Sequence, residues 1–348
     1  MKILEIGPSF SPVVSKSEGW NAWSVDHTDQ AGLRAKYDAD PSVDVSRIEP
    51  VDFVWESGSL DDAVPIEHHG TFDGIASHVI EHIPDPIGFY RSIDKLTRAN
   101  GVLVLAVPDK RFCFDYFRPL SVSSEFILAH ALGRRRHSKK TAFDHTAYTV
   151  NMDGAAAWGQ HPAGELNFYS TLAAANDLLV TTDESEAAVY VDFHGWCYTP
   201  FSFKLVMLEL NVLQSLDWKI NADFPSEGCE FIVVLGKGRF VFASQTALQE
   251  ARKALLKGIL TDVAEQCRYL DRADAVPAKE PVQAMPTAGD IGLAGQVAAL
   301  QQQHLELAER LGRQEARLAK IWDTSKIMKR LLRPVRAIAR RSRDLRAP

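Results

Sequence analysis

Histidines stand close to acidic residues at three places in the sequence. They are His78, with Glu81 three residues later, His145, and His194, which follows Asp192 by two residues. An imidazole with its ordinary pKa of ~6.5 can take a proton at neutral pH, and a neighbouring carboxylate can orient it. We therefore predict a general base here, with His194 and His145 favoured and His78 next. The alternative, that these histidines only form hydrogen bonds within the fold, stays open.

Side chains that suit an anionic sugar lie near the same histidines in sequence. Arg111 and Arg118 could hold a phosphate or a carboxylate, and Trp196 could stack on the apolar face of a sugar ring. We assign Asp192 to the same predicted substrate site. Aromatic side chains pack in a core more often than they bind ligands, so a structural role is the alternative for Trp196.

A second set of candidates follows the first two apolar segments. Gly7 comes directly after the first, and Pro8 and Ser9 continue the loop. A glycine there lets the backbone approach a ligand, although this loop has a single glycine and is equally consistent with a simple turn. Asp26 ends the second segment, 19 residues after Gly7, where an acid can bind the hydroxyls of an adenosine ribose, and His27 follows it.

The third and fourth apolar segments end in further candidates for the same site. Ser59 and Leu60 follow the third and would offer an adenine ring a polar group for its edge and an apolar group for its face. Ser77 and His78 end the fourth. Because ligands bind outside the carboxyl ends of the strands in open α/β sheets, we expect all these residues to converge.

The elements that must position these residues alternate between strand and helix. A helix over 86–98, stopped by Asn100-Gly101, separates the last two predicted strands. Such alternation indicates right-handed βαβ units and a doubly wound parallel sheet, a Rossmann-like α/β fold. The predicted strands span 2–6, 22–26, 52–55, 72–77 and 101–107.

The pattern changes after the fifth strand. Residues 109–198 appear as an irregular insertion that would cover the mouth of the site, and Thr199-Pro200 begins a helix over 200–216. Two further strands, at 217–224 and 229–235, are separated by a turn at 225–228 and predict an antiparallel pair.

The C-terminal third has a different composition. We predict an amphipathic helix over 244–275, a linker rich in Pro and Ala over 276–290, and a coiled coil followed by a basic amphipathic tail over 291–348. Heptads over 293–321 suit self-association. Residues 326–346 suit binding to an anionic membrane surface, with a solvated basic tail as the alternative.

Composition excludes several classes of function. The net charge of −6 gives no overall reason to expect nucleic-acid binding. The four cysteines form no CxxC pair, and no metal-ligand spacing is evident, so we predict no metal site and no disulfide framework. Without a recognisable signal peptide or a long apolar segment, we expect a cytoplasmic protein.

Several segments together resemble the class I S-adenosylmethionine-dependent methyltransferases, specifically the methyltransferase type 11 group. They are LEIGPSFSP, SVDH, FDGIASHVIEHIPDPIGFYRSIDKLTRANGVLVLAVPDKR and TPFSF…EFIVVLGK, which cover residues 1–240 in order. The segments SHVIEHIPDP, PDKRFCFDYFRP and VDFHGWCYTP resemble a subset found with bacterial glycosyltransferases and surface-polysaccharide assembly.

The resemblance implies a seven-stranded methyltransferase domain over 1–240 with an antiparallel last strand, and S-adenosylmethionine as cofactor. It implies that Glu5 and Gly7 frame the methionine end of the cofactor, and that the acceptor is a hydroxyl or phosphate of a sugar or glycan. Glycosyltransferases are the implied partners, at the inner face of the cell membrane. Two alternatives stay open: a catalytically silent scaffold that binds the cofactor, and a nicotinamide oxidoreductase.

Overall fold

A seven-stranded sheet forms the centre of the protein. The computed structural model describes residues 1–41, 43–56, 58–160 and 164–273. The predicted linker, coiled coil and basic tail, including the stretches proposed for self-association and membrane binding, lie outside the described residues. The strands of the sheet are β1 (Ile3–Ile6), β2 (Ala22–Asp26), β3 (Phe53–Val54), β4 (Phe72–Ser77), β5 (Thr97–Pro108), β8 (Trp218–Glu227) and β9 (Glu230–Lys237).

Strand order runs β3-β2-β1-β4-β5-β9-β8. The first five strands are parallel, whereas β9 is antiparallel to both β5 and β8. The order reverses between β1 and β4, where a doubly wound sheet opens a crevice for ligands. The predicted Rossmann-like sheet with its antiparallel last strand is thereby confirmed.

Apolar residues cover the two faces of the sheet unequally. Alternate residues of a strand point to opposite faces, so Ile75 and Leu103 belong to one large core while Ala76 and Val104 belong to a small cluster on the other face. The helices of the described residues include α1 (Gln30–Tyr37), α2 (Pro86–Leu96), α3 (Ser123–Ala131), α6 (Pro200–Val212) and α7 (Gln245–Ala273); α2 contacts β5, and α6 contacts β8.

Two predicted boundaries are wrong. The helix before β5 ends at Leu96, and Asn100-Gly101 lies inside β5, where the register with β4 shifts between Phe72 and Gly74. An extra stretch of chain bulges there, so the turn signal marks a bulge instead of a helix stop. In the hairpin, β8 continues through Pro225 because a second register shift accommodates it, and Gly228, with φ of +65°, supplies the turn.

The predicted irregular insertion contains regular elements. Besides α3 it holds α4 (Lys139–Tyr148), α5 (Leu172–Thr181) and a hairpin of β6 (Val150–Met152) and β7 (Leu166–Phe168). These helices are short, and few of their residues are buried, so their hydrophobic periodicity is weak. The insertion lies beside β4, because the backbone N–H of Gly195 donates to the carbonyl of Glu81 at 2.6 Å.

The last helix, α7, packs along α6. Arg252 of α7 bonds to Glu209 of α6 at 2.7 Å, and the backbone N–H of Phe201 donates to Asp262 at 3.3 Å. Among the helices that the structure describes, none is long and apolar enough to cross a membrane.

Candidate functional site

The loop after β1, residues 7–14, folds back over the end of its own strand. Gly7 has φ of +67°, a conformation that favours glycine, and a Cβ there would lie 2.8 Å from Cγ1 of Val79. The backbone N–H groups of Val13 and Val14 donate to Oε1 and Oε2 of Glu5 at 2.6 and 2.9 Å. We call residues 7–14 the β1 loop; Glu5 closes it.

Glu5 is buried at the base of this loop. Burial raises the pKa of its carboxyl group to about 7, although the two backbone donors favour the charged form. The sequence resemblance places Glu5 at the methionine end of a cofactor. In the structure its carboxyl group bonds to the loop itself and positions the backbone there.

Asp26, at the end of β2, is also held by local hydrogen bonds. Its Oδ2 accepts from the backbone N–H of Ser9 at 2.8 Å, and its Oδ1 lies 2.8 Å from the backbone N of His27 and 2.6 Å from its Nδ1. The cavity beside the loop, lined in part by Pro8 and Ser9, has a volume of only about 10 Å³. Asp26 does not line this cavity and is only 4% exposed, so a nucleoside could reach its carboxylate only after the β1 loop moved away from it.

The third predicted pair, Ser59 and Leu60, is contradicted in part. Leu60 is 1% exposed and belongs to the main core, because a short 3₁₀ helix over Leu60–Ala63 turns its side chain inward. Ser59 donates to Asp62 at 2.5 Å. The apolar surface at this strand end comes from the half-buried Trp55, which stacks on Phe89 and which sequence reasoning did not select.

The segment after β4 carries a dense group of ionisable residues. His78 Nε2 lies 2.7 Å from Glu230 Oε1 of β9 and 3.4 Å from Glu81 Oε1. His82 Nε2 lies 3.6 Å from the same Glu81 oxygen. Two buried oxygens at this strand end, Oγ of Ser77 and Oε2 of Glu81, have no hydrogen-bond partner among the described residues.

The insertion completes this group from the opposite side. His194 Nδ1 lies 2.5 Å from Asp115 Oδ2, and its ring stands edge-on to that of His82 with centroids 4.6 Å apart. His82 Nδ1 in turn lies 2.8 Å from Asp192 Oδ1. We call the resulting site the histidine cluster; its members are His78, Glu81, His82, Asp115, His145, Asp192, His194 and Glu230.

Several hydrogen bonds hold the insertion against the β4 segment, among them one from the backbone N–H of Trp196 to the carbonyl of Glu81 at 3.3 Å and the bond between His82 Nδ1 and Asp192. Besides the bond from Gly195, the indole N–H of Trp196 donates to the carbonyl of Ile83 at 2.6 Å and the hydroxyl of Tyr190 donates to the carbonyl of His82 at 3.0 Å. These bonds fix the positions of residues 81–83 and 190–196 relative to each other, although the two segments lie more than 100 residues apart in sequence.

The histidines of the cluster differ in pKa because their neighbours differ in charge. Burial disfavours the charged form of His78, but Glu230 and Glu81 outweigh it and raise its pKa to about 9. Burial lowers the pKa of His145 to about 3, and its Nδ1 accepts from the backbone N–H of His194. For Asp115, the charges of His194 and Arg118 outweigh burial and hold the pKa well below its usual range.

These findings reduce the number of candidates for the general base. His78 is paired with Glu230 and Glu81, and its raised pKa of about 9 favours the protonated ring at neutral pH, which argues against the predicted role as a base. His145 does not fit either, because its Nδ1 is engaged and its charged form is strongly disfavoured. His194 remains, with Asp115 on Nδ1, which leaves Nε2 as the ring nitrogen that can accept a proton.

The predicted anion-binding and stacking residues are corrected. Arg111 is buried against α7 and paired with Asp109, Asp262 and Glu265, so it cannot bind an anionic acceptor. In the same way Arg118 is buried against Asp115 at 2.8 Å. Trp196 is 8% exposed and stacks on Phe126 in the core, so no sugar can reach it. Asp192, by contrast, is exposed at the mouth of the cluster.

Sequence reasoning missed the partners that come from other elements. Asp115 and Glu230 were not selected, because neither lies near a histidine in sequence. Glu81 was named only as a neighbour of His78, and His82 was given no role. The spacing His-x-x-Glu-His, together with Asp-x-His at 192–194, was the available signal.

No model of a protein family matches the chain, and no curated protein matches it in sequence. Among solved structures, an S-adenosylmethionine-dependent methyltransferase from Mesorhizobium loti is 11% identical, over 68% of this chain and 90% of that chain, with a TM-score of 0.32. A protein provisionally assigned to the same activity, from Listeria monocytogenes, is 11% identical over 68% and 91%, with a TM-score of 0.32. One provisionally assigned as a zinc-dependent alcohol dehydrogenase, from Rhodobacter sphaeroides, is 10% identical over 69% and 84%, with a TM-score of 0.35. At these values the similarities assign neither an activity nor a substrate to this chain.

Proposed function

We propose that the protein is an S-adenosylmethionine-dependent methyltransferase that methylates an oxygen of a sugar or glycan acceptor. The observation that supports this most directly is the register of β1 and β4, in which Ile6 pairs with Ser77. The β1 loop and the histidine cluster therefore begin side by side, at the point where the strand order reverses. A cofactor held by the first would present its reactive group to the second.

The residues at the strand ends fit this cofactor once the β1 loop opens. Gly7 allows the backbone to approach closely, and Oδ2 of Asp26, which accepts one hydrogen bond, has a lone pair left for a ribose hydroxyl, whereas Oδ1 already contacts two nitrogens of His27. Trp55 offers an apolar surface for an aromatic ring. When bound, S-adenosylmethionine supplies an electrophilic methyl group on a sulfonium.

The protein's contribution to the reaction is orientation and proton handling. An acceptor hydroxyl must lie about 3 Å from the methyl carbon and must lose its proton as the new bond forms. His194 is the best placed base, because Asp115 fixes the ring through Nδ1 and leaves Nε2 to accept a proton, and one nitrogen of the ring lies within 4.8 Å of ligand atoms of Glu81 and His82. The sugar acceptor and a role in surface-polysaccharide assembly rest on the sequence resemblance.

A second candidate is a cofactor-binding scaffold without turnover. The closed β1 loop favours it, because Ser9 and His27 already use the carboxylate of Asp26 and opening the loop costs those bonds. The scaffold and the enzyme share the cofactor but differ in turnover.

Calorimetry with S-adenosylmethionine, S-adenosylhomocysteine and NAD tests the cofactor. We expect saturable binding of the first two and none of NAD; binding of NAD alone would overturn the proposal in favour of an oxidoreductase. Release of S-adenosylhomocysteine should then be measured with a panel of free sugars, nucleotide sugars and lipid-linked glycans. Binding without turnover on the whole panel would favour the scaffold.

Variants of two histidines localise the chemistry. His194→Gln should lower turnover by a factor on the order of 10²–10⁴ and leave S-adenosylhomocysteine affinity unchanged. His130→Gln is the matched control, because His130 also pairs with a carboxylate, Asp85 at 2.8 Å, but lies outside the cluster. Equal turnover in the two variants would remove His194 from the mechanism.

A further inference from the structure

Three side chains of the histidine cluster direct ligand atoms at one point. One oxygen of Glu81 and one ring nitrogen from each of His82 and His194 lie within 4.8 Å of one another. The separation between Glu81 Oε1 and His82 Nε2 is already 3.6 Å. Ligand atoms about 2.0–2.2 Å from a tetrahedral metal ion lie a little over 3 Å apart, so a small side-chain adjustment would bring the three into a coordination shell.

Both histidines are oriented in the way that metal-binding histidines are. Metal-ligating imidazoles usually donate their other ring N–H to a carboxylate or carbonyl, which fixes the tautomer and directs the free nitrogen at the metal. His82 has Asp192 on Nδ1 at 2.8 Å, and His194 has Asp115 on Nδ1 at 2.5 Å. In each ring, Nε2 is therefore the nitrogen left for the shared point.

The third side chain, Glu81, gives an independent reason to expect a ligand. It is 2% exposed, and its Oε2 has no hydrogen-bond partner among the described residues. An unsatisfied buried carboxylate oxygen costs about 1–3 kcal/mol or more, because water has been removed and nothing replaces it. A cation at the shared point that both oxygens of Glu81 coordinate would satisfy Oε2; the 3.6 Å separation from His82 is that of Oε1.

Charge favours a cation at the same place. The cluster contains four carboxylates, from Glu81, Asp115, Asp192 and Glu230, and the cations that contact them in the described part of the chain include the guanidinium of Arg118 and the protonated ring of His78, which together offset only half of the negative charge. The histidines can be neutral when they coordinate a metal, and the remaining negative charge attracts a divalent ion.

We propose that Glu81, His82 and His194 form a binding site for a divalent first-row transition-metal ion, with Asp115 and Asp192 positioning the two imidazoles. Two imidazoles and a carboxylate suit Zn²⁺, Mn²⁺ or Fe²⁺ better than Mg²⁺ or Ca²⁺, which prefer oxygen ligands. Three protein ligands leave at least one coordination position open toward the cleft.

The role of the ion, though not its binding, rests on the proposed function. An acceptor hydroxyl in the open position would lose its proton to solvent water more readily, because the ion stabilises the resulting oxyanion. His194 Nε2 is then a ligand, and the ion takes over the role that this imidazole would otherwise have as a base. The sequence prediction of no metal site missed this arrangement because its three ligands come from two distant segments.

Metal titration of the full chain tests the site without any methyl acceptor. The protein is stripped with EDTA, dialysed, and titrated with Zn²⁺ by calorimetry and with Co²⁺ by visible absorption. We expect one equivalent to bind, with Co²⁺ bands typical of nitrogen and oxygen ligands. Glu81→Gln and His82→Gln should each weaken binding by more than about tenfold, whereas His130→Gln should bind as the wild type does.

Asp192→Asn keeps the proposal falsifiable if a cluster variant fails to fold. Asp192 is exposed and contacts the metal ligands only through His82, so its loss should weaken Zn²⁺ binding by about 10–100-fold without unfolding the protein. Absence of saturable binding by the wild type, or equal affinity in the wild type, Glu81→Gln and Asp192→Asn, would overturn the proposal. S-adenosylhomocysteine binding measured in EDTA reports separately on the proposed function.

Discussion

The β1 loop and the histidine cluster lie side by side, but their buried carboxylates differ in how completely protein groups satisfy their oxygens. Glu5 and Asp26 accept hydrogen bonds on both of their oxygens, all from the protein. Glu81, at the end of the neighbouring strand, has one oxygen shared between His78 and His82 and one without a partner in the described chain. A buried polar oxygen without a protein partner is costly, and in folded proteins it usually contacts a bound water, ion or ligand.

The difference tells which region must move to bind a ligand. The β1 loop is stable by itself and must break its own bonds to admit a nucleoside. The histidine cluster is satisfied less completely by the protein's own groups, because Oε2 of the buried Glu81 has no hydrogen-bond partner among the described residues. We therefore expect substitutions in the loop to act mainly on stability. In the cluster, we expect a substitution at a buried residue to cost much more stability than one at an exposed residue.

Asp115→Asn should have the largest effect on stability. Asp115 is the carboxylate partner of both Arg118 and His194, and Arg118 is buried with it. Removing one partner of a buried pair leaves the other charge uncompensated, so we expect the free energy of unfolding to fall by about 3–5 kcal/mol. Urea denaturation followed by circular dichroism measures this.

The double variant Asp115→Asn/Arg118→Met is the control for that prediction. It removes both charges of the pair and should recover much of the loss, since an apolar side chain of similar length needs no partner. A single variant that loses less than about 1 kcal/mol would mean that the pair is solvated, contrary to its burial.

Glu5 should give the β1 loop a distinctive pH dependence. Its pKa is raised from an ordinary value of 4.5 to about 7 in the folded protein. The folded state thus holds a proton that the unfolded state has lost, and the contribution of Glu5 is full below pH 4.5 and declines as the pH rises to about 7. A shift of this size corresponds to about 3 kcal/mol.

Unfolding measured from pH 4 to pH 8 in the wild type and in Glu5→Gln isolates this contribution. Between pH 4.5 and about 7, the contribution of Glu5 makes the free energy of unfolding of the wild type decline, and Glu5→Gln should lack this decline. Glu49 is the comparison, because hydrogen bonds from Ser15, Ser17 and Lys16 outweigh its burial and lower its pKa, so its contribution has the opposite sign and is lost as the pH falls. Parallel curves for wild type and Glu5→Gln would contradict the assignment.

The sequence predicts the sheet well because each parallel strand carries its own local pattern. Strands β2 and β4 were placed correctly to the residue, and Thr199 caps α6 with Pro200 in its first turn as expected. The errors occur where a turn signal has two meanings. Asn100-Gly101 can end a helix or form a bulge, and only the pairing of β4 with β5 decides between them.

The site was less predictable because its members meet only through tertiary contacts. Strand-end residues such as Gly7 and Asp26 follow from topology, but Asp115 reaches His194 across 79 positions. Nor does composition show which arginines are free. Arg111 has the residue type and neighbourhood of an anion-binding side chain, and only the packing of α7 reveals that three acids surround it.

Gly7→Ala, compared with Gly70→Ala, should separate backbone strain from crowding in the β1 loop. Both glycines have left-handed φ, +67° and +64°, but a Cβ at Gly7 would meet Val79 whereas one at Gly70 meets nothing within 4 Å. Each substitution should cost about 1–2 kcal/mol for the conformation, and Gly7→Ala about 1–3 kcal/mol more for the contact. Urea denaturation of both variants gives the difference. Equal losses of unfolding free energy in the two variants would show that the side chain of Val79 moves to accommodate the added Cβ.

The smallest effect on stability should come from Asp192→Asn, the exposed counterpart of Asp115→Asn. Both carboxylates hold Nδ1 of a cluster histidine, at 2.8 and 2.5 Å, but the side chain of Asp192 is 63% exposed and that of Asp115 is 2% exposed. Water can replace the exposed partner, so we expect a loss of less than about 1 kcal/mol in urea denaturation. The same chemical change is then made at an exposed carboxylate with one histidine partner and at a buried one that also pairs with Arg118. A loss as large as that of Asp115→Asn would mean that the orientation of the histidines, and not the burial of charge, holds the insertion against β4.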